Sequence, residues 1–126
     1  MTLFWNNIRY FKAHEFYCKC GECVEEEHMD SNFITLLDEM RHKAGRGFTI
    51  NSGWRCRNHP EEKKKDKPGA HNQGTAVDIK VSGGSERFEI IQLGLAVGMV
   101  GIGVANSFVH VDSGHKTSPR PMAWKY

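Results

Sequence analysis

No stretch of the chain approaches 18 consecutive apolar residues, so nothing in it reads as a helix that crosses a bilayer. A dominant charge sign is also missing. Lys plus Arg is 17 and Asp plus Glu is 15, a formal net charge of +2. That balance gives no electrostatic case for nucleic acid or an anionic membrane as the main partner. Internal repeats and low-complexity tracts are absent. The opening MTLFWNNIRYF has neither an apolar core of signal-peptide length nor a small-residue cleavage site. The expectation is synthesis in the cytoplasm, with any action outside it needing another route. Cysteine is scarce: four residues, three of them crowded in CKCGEC.

What remains is the composition of an ordinary globular protein, 39% hydrophobic and 25% charged over 126 residues. That length suits one domain, residues 1–126, with a core large enough to need no staples. Asp30 to Ala44 reads as a helix. Asp30 is a good N-cap, Ile34, Leu37, Met40 and Ala44 share a face, and Gly45 ends it. Ser85 to Val97 reads as a second, with Phe88, Ile91 and Leu95 as its buried face and Gly98 as its stop. Phe48–Asn51 and Thr75–Val81 alternate like strands, and Gly101–Asp112 reads as two strands meeting near Asn106 and Ser107. The run from Glu61 to Lys67, closed by Pro68-Gly69, reads as a solvated loop. Strands and two helices without regular alternation predict an α+β fold: a mainly antiparallel sheet with helices on one face and a site on the other.

Two strands carry residues that do not belong in a core. Asp78 sits inside AVDIKV, and His110 inside FVHVD. A carboxylate in such a place is costly unless it is paired, hydrogen-bonded or bound to a metal. His71 follows the Pro68-Gly69 break, seven residues before Asp78. Two imidazoles and one carboxylate make a three-ligand zinc set with a position left open for chemistry.

Three ordered motifs, Ser52-Gly53-Trp54-Arg55, His71-Asn72-Gln73-Gly74-Thr75-Ala76-Val77-Asp78 and Phe108-Val109-His110-Val111-Asp112, together resemble the zinc D-Ala-D-Ala carboxypeptidase family. That family acts on bacterial cell-wall peptides and shares its fold with the hedgehog signalling domain. The Glu15–Gly21 segment and the stretch from Arg120 to Trp124 extend the likeness over nearly the whole chain. The resemblance implies that His71, Asp78 and His110 hold Zn2+ and that Arg55 faces the substrate. A guanidinium fork suits a peptide carboxylate or a developing oxyanion. Ser52 and Trp54 join the candidate substrate-binding residues. For Ser52 the other roles are orienting Arg55 or ending the strand, and for Trp54 the other role is packing.

In one place the chain departs from the family. Many members carry a general base two or three residues before the last zinc ligand, where this chain has Ser107 and Phe108. Neither can take a proton. The nearest candidate is Asp112, on the same strand face as His110 and about 6.5 Å from it in Cα position. Its alternative role is to hold a ligand imidazole. His115, in the following loop, is a further candidate. Arg120 is either a group that reaches the site from the tail or a solvated charge.

The cysteines leave three readings open: a second zinc site, disulfides, or free thiols. In each, Cys56 is expected near Cys18, Cys20 and Cys23. The functional expectation is a monomeric zinc peptidase of peptidoglycan peptides, released to the wall as a phage endolysin would be. The competing expectation is a non-catalytic zinc-containing binding module on the same fold.

Overall fold

The protein is described by a computed structural model covering residues 3–21, 23 and 27–126. Met1 and Thr2, part of the segment inspected for a leader, lie outside the described residues. Asp30 is extended, and its carboxylate accepts the Phe33 N–H at 2.9 Å. Helix α1, Ser31–Ala44, starts there and ends at Gly45, whose φ of 71° puts it in the left-handed region. Its buried side chains include Phe33, Ile34, Leu37 and Met40, so the predicted face is the one that packs.

Five strands form one sheet: β1 (Ile50–Ser52), β2 (Ala76–Lys80), β3 (Gly101–Val104), β4 (Phe108–Asp112) and β5 (Met122–Lys125). Their order is β1-β2-β4-β3-β5. The first four pair antiparallel, and β5 adds to β3 in parallel. The expected α+β fold is present, with a mixed sheet in place of a purely antiparallel one. Strand β5 was not anticipated, although Met122, Trp124 and Tyr126 alternate in the sequence as a strand would.

The period of two divides the sheet's faces. Val77, Ile79, Val109 and Val111 are buried in the core with Ile34 and Leu37 of α1. Helix α3, Gly84–Val97, contributes Ile90 to the same core. Its predicted face needs correcting, because Phe88 is 67% exposed and Leu95 is 59% exposed. The contact stripe runs through Ile90 and Gly94 instead. A Cβ on Gly94 would lie 3.3 Å from Val111 Cγ1, so the helix backbone approaches β4 closely where no side chain intervenes. Burying backbone against the sheet here outweighs burying the larger residues.

The charged run also departs from expectation. Helix α2, Pro60–Lys63, lies within it, and Glu62 is wholly buried. The Glu62 carboxylate accepts the Gly69 N–H at 3.0 Å and meets the Lys65 ammonium at 2.9 Å. It thereby ties down the turn that leads into His71. Burial pushes the Glu62 carboxyl up, but Lys65 and the Gly69 N–H outweigh it and hold the pKa below its ordinary value of 4.5. A depressed carboxylate stabilises the fold above its unfolded pKa, and that contribution fades as pH falls through the folded one. Glu62→Ala should therefore cost about 1–3 kcal/mol, because the Gly69 N–H loses its acceptor. Glu62→Gln should flatten the stability loss below pH 4.5. Urea unfolding between neutral and acid pH measures both.

Candidate metal centre

The face of the sheet opposite the helices carries one row of unusual residues. Asp78 of β2 lies directly across from Ser52 of β1 and His110 of β4, and His110 lies across from Gly103 of β3. Gly103 in turn neighbours Trp124 of β5. The two cross-strand partners Asp78 and His110 are thus brought together by strand register alone. His71 joins them from the turn before β2. That turn depends on Gly74, whose φ is +77° and whose position would put a Cβ 2.4 Å from the His28 carbonyl.

The three ligand atoms form a nearly equilateral triangle. His71 Nε2 is 3.3 Å from Asp78 Oδ1, His110 Nδ1 is 3.4 Å from the same oxygen, and the two nitrogens are 3.3 Å apart. All three residues are at least 95% buried. A tetrahedral zinc with ligand bonds of about 2.0–2.1 Å separates its ligand atoms by about 3.3–3.4 Å. The spacing fits.

The tautomers fit as well. His71 Nδ1 donates to the Gly53 carbonyl at 2.8 Å, which leaves a lone pair on Nε2. His110 Nε2 donates to Asp112 Oδ2 at 2.7 Å, which leaves one on Nδ1. Among the described residues, Asp78 Oδ1 is buried without a hydrogen-bond partner. Three lone pairs converge on one point and cannot satisfy each other. A cation there resolves the arrangement.

The electrostatics follow from the same contacts. Burial pushes the His71 imidazole down. Burial acts likewise on His110, but Asp112 and Asp78 overcome it and its pKa is raised. Burial would raise the Asp78 carboxyl, yet His110 and His71 hold it far below the carboxylate range.

The chain matches the profile of the Peptidase M15 family over residues 9–112. The chain belongs to the peptidase M15 family. A comparison with curated proteins found no match. M15 enzymes are zinc-dependent metallopeptidases, and this member places a fitting set of donors where such a metal would sit.

Around the M15 centre, the structure sorts the other candidates. Asp112 is fully buried. Its Oδ1 accepts from Arg120 Nε at 2.9 Å and the Gly114 N–H at 3.1 Å, and its Oδ2 accepts from His110 and, at 2.8 Å, from Arg120 Nη2. Four donors occupy it, and it stands behind the His110 ring, at the nitrogen that faces away from Asp78. In this arrangement Asp112 holds the His110 ring in one tautomer, the second of the two roles expected of it, and neither of its oxygens is left without a donor. Its own pKa is lowered, since His110 and Arg120 outweigh the effect of burial.

Arg55 serves the other side of the centre. Its Nη2 donates to Asp78 Oδ2 at 3.1 Å, so Oδ1 is the oxygen left for a metal. Ser52 Oγ accepts from Arg55 Nε at 3.0 Å, which makes Ser52 an orienter of the guanidinium. Ser52 and Trp54, expected among the substrate-binding residues, lie beside the cleft and not in its lining. Trp54 stacks on His28 at 4.0 Å and donates to the Asn72 carbonyl at 2.9 Å.

Above the three ligands lies a cleft of about 740 Å³. Arg55, Lys64, Lys67, His115, Trp124 and Tyr126 are among its lining. Trp124 is the one of the three tryptophans that lines the cleft, and Tyr126 joins it there. Two glycines make room for what stands here. A Cβ on Gly103 would lie 2.6 Å from Trp124 Nε1, and one on Gly101 would lie 2.0 Å from Asp112 Oδ2. The Gly-x-Gly alternation of β3 is therefore the sequence signal for a ring and a carboxylate leaning over that strand.

Proposed function

We propose that the chain hydrolyses amide bonds in peptidoglycan, either in stem peptides or in their cross-links, as a D,D-carboxypeptidase or endopeptidase. The convergence of three candidate ligand atoms at the floor of an open cleft carries this reading. When bound there, zinc supplies a Lewis acid that brings the pKa of water toward about 7 and polarises a carbonyl. The chain's own residues do the rest. Arg55 fixes Asp78 and reaches the cleft, where its charge suits a peptide carboxylate. Lys67 lines the cleft too, as do Asp66 and an ion pair of Lys64 with Glu61 at 3.1 Å. Arg55 and Lys67 suit the carboxylates in which stem peptides are rich.

His115 acts as a donor in this reading. Its Nδ1 accepts the N–H groups of Thr117 and Ser118 at 3.1 and 3.0 Å. Burial and Arg120 lower its pKa, so at neutral pH the ring is uncharged and keeps its proton on Nε2. Such a ring can donate to a developing oxyanion. It cannot serve as the base through that nitrogen.

One observation favours a second reading, a non-catalytic zinc-containing module. Asp112 is fully engaged, and Ser107 and Phe108 hold the positions where a base is expected. Mass spectrometry of muropeptides incubated with zinc-loaded protein, with and without chelator, separates the two. Chelator-sensitive loss of one D-Ala, or splitting of a cross-linked dimer, is the expected result. Binding of murein without any cleavage, with zinc confirmed in the sample, would establish the module instead. In the wider reading the chain is made in the cytoplasm, released to the wall as a phage endolysin would be, and works as a monomer.

A further inference from the structure

We infer that Cys18, Cys20, Cys23 and Cys56 form a second metal site, a closed tetrathiolate that takes zinc and locks the N-terminal segment beside Arg55. It is independent of the peptidase reading. All four sulfurs lie within 4.8 Å of one another. Cys56 Sγ is 3.6 Å from Cys18 Sγ and 3.6 Å from Cys20 Sγ. Zinc–thiolate bonds of about 2.3 Å in a tetrahedron separate the sulfurs by about 3.8 Å. A disulfide needs about 2.05 Å, so the cysteines are not paired covalently.

The local backbone is built for ligation. Gly21, next to Cys20, has a φ of 81°, a left-handed conformation that glycine adopts without strain. The Cys56 N–H donates to Cys18 Sγ at 3.4 Å. An N–H aimed at sulfur favours the thiolate that a metal requires. Cys56 is 92% buried, and the other three are half-buried. Four protein ligands leave no open position, which is the pattern of a structural site. Tetrahedral sulfur selects zinc or iron among common metals.

The location gives the site its consequence. Three ligands come from the N-terminal segment, and the fourth directly follows Arg55. The same two segments are joined by the Trp54 N–H to the Phe16 carbonyl at 3.0 Å, and by the Lys19 ammonium on the Ile50 and Asn51 carbonyls at 3.2 and 3.0 Å. A Cβ on Gly53 would lie 2.7 Å from Phe16 Cα, so the two backbones are in close contact. Metal binding displaces the thiol protons and closes this seam.

Metal content and cobalt spectroscopy test the assignment on the full chain, reduced, loaded and then dialysed. Wild type should hold two zinc ions per chain, His71→Ala one, and the Cys20→Ser/Cys23→Ser variant one. With Co2+ in place of zinc, wild type and His71→Ala should both show the intense near-ultraviolet band of thiolate-to-cobalt charge transfer. That band reads the site even where the double variant fails to fold. A cobalt-loaded His71→Ala protein without it would overturn the proposal. So would a wild-type chain with a single zinc that His71→Ala loses or, in the protein as purified and before any reduction, a mass lowered by the hydrogens given up to disulfides or iron held in place of zinc.

Discussion

His110→Ala should lower kcat/KM for muropeptide cleavage by about 10⁴-fold or more. A bound Lewis acid supplies several kcal/mol of transition-state stabilisation, and each 1.36 kcal/mol is about tenfold in rate. The imidazole gives one of three donors, and the remaining pair, His71 and Asp78, cannot hold zinc with comparable affinity. The His110 ring also packs on Trp124 with centroids 4.9 Å apart, and it occupies Asp112. Circular dichroism and thermal unfolding of the variant must accompany the kinetics, so that lost metal is told from lost fold. A folded variant with turnover within tenfold of wild type would remove His110 from the ligand set.

The parts of this molecule that sequence reveals are those fixed by local chemistry. Helix α1 shows both its caps in the chain, at Asp30 and Gly45, and its face in the spacing of Ile34 and Leu37. The candidate metal ligands betray themselves because Asp78 and His110 interrupt apolar strands, where only a strong compensating interaction allows them. Other features depend on contacts between distant segments, which no window of sequence contains. Glu62 looks like one more charge in a polar run, and only the folded turn brings Gly69 and Lys65 to it. In helix α3 polar and apolar residues are not segregated to opposite faces, so its largest side chains do not mark its buried face; the closest approach is through Gly94. Strand β5 pairs only at the edge of the sheet, after a loop that hides its relation to β3. The role of Asp112 was open for the same reason. Its spacing from His110 shows a shared strand face, but not that Arg120 would occupy both its oxygens.

Asp112→Asn should weaken zinc affinity at the His71–Asp78–His110 centre by about 10–100-fold, as expected when the group that orients a ligand imidazole is altered. The native carboxylate accepts at both oxygens, and all its partners are donors. An amide replaces one oxygen with an NH₂ group. If that group faces His110, it opposes Nε2–H and drives the proton to Nδ1, the nitrogen that must offer its lone pair to the metal. If it faces Gly114, two N–H groups, of Gly114 and of Arg120 Nε, lose their acceptor. Either orientation leaves Arg120, whose side chain is only 10% exposed, without its full counter-charge. Stability should fall by about 3–5 kcal/mol, the usual cost of breaking a buried pair from one side. Chelator competition and urea unfolding measure these two effects. The decisive readout is turnover at saturating zinc. A positioning residue acts through His110, so excess zinc should restore most of kcat. A proton-accepting residue acts in the chemical step, so kcat would stay low however much zinc is supplied. Persistent loss at full zinc occupancy would return Asp112 to the role of base, against the four hydrogen bonds that now hold it.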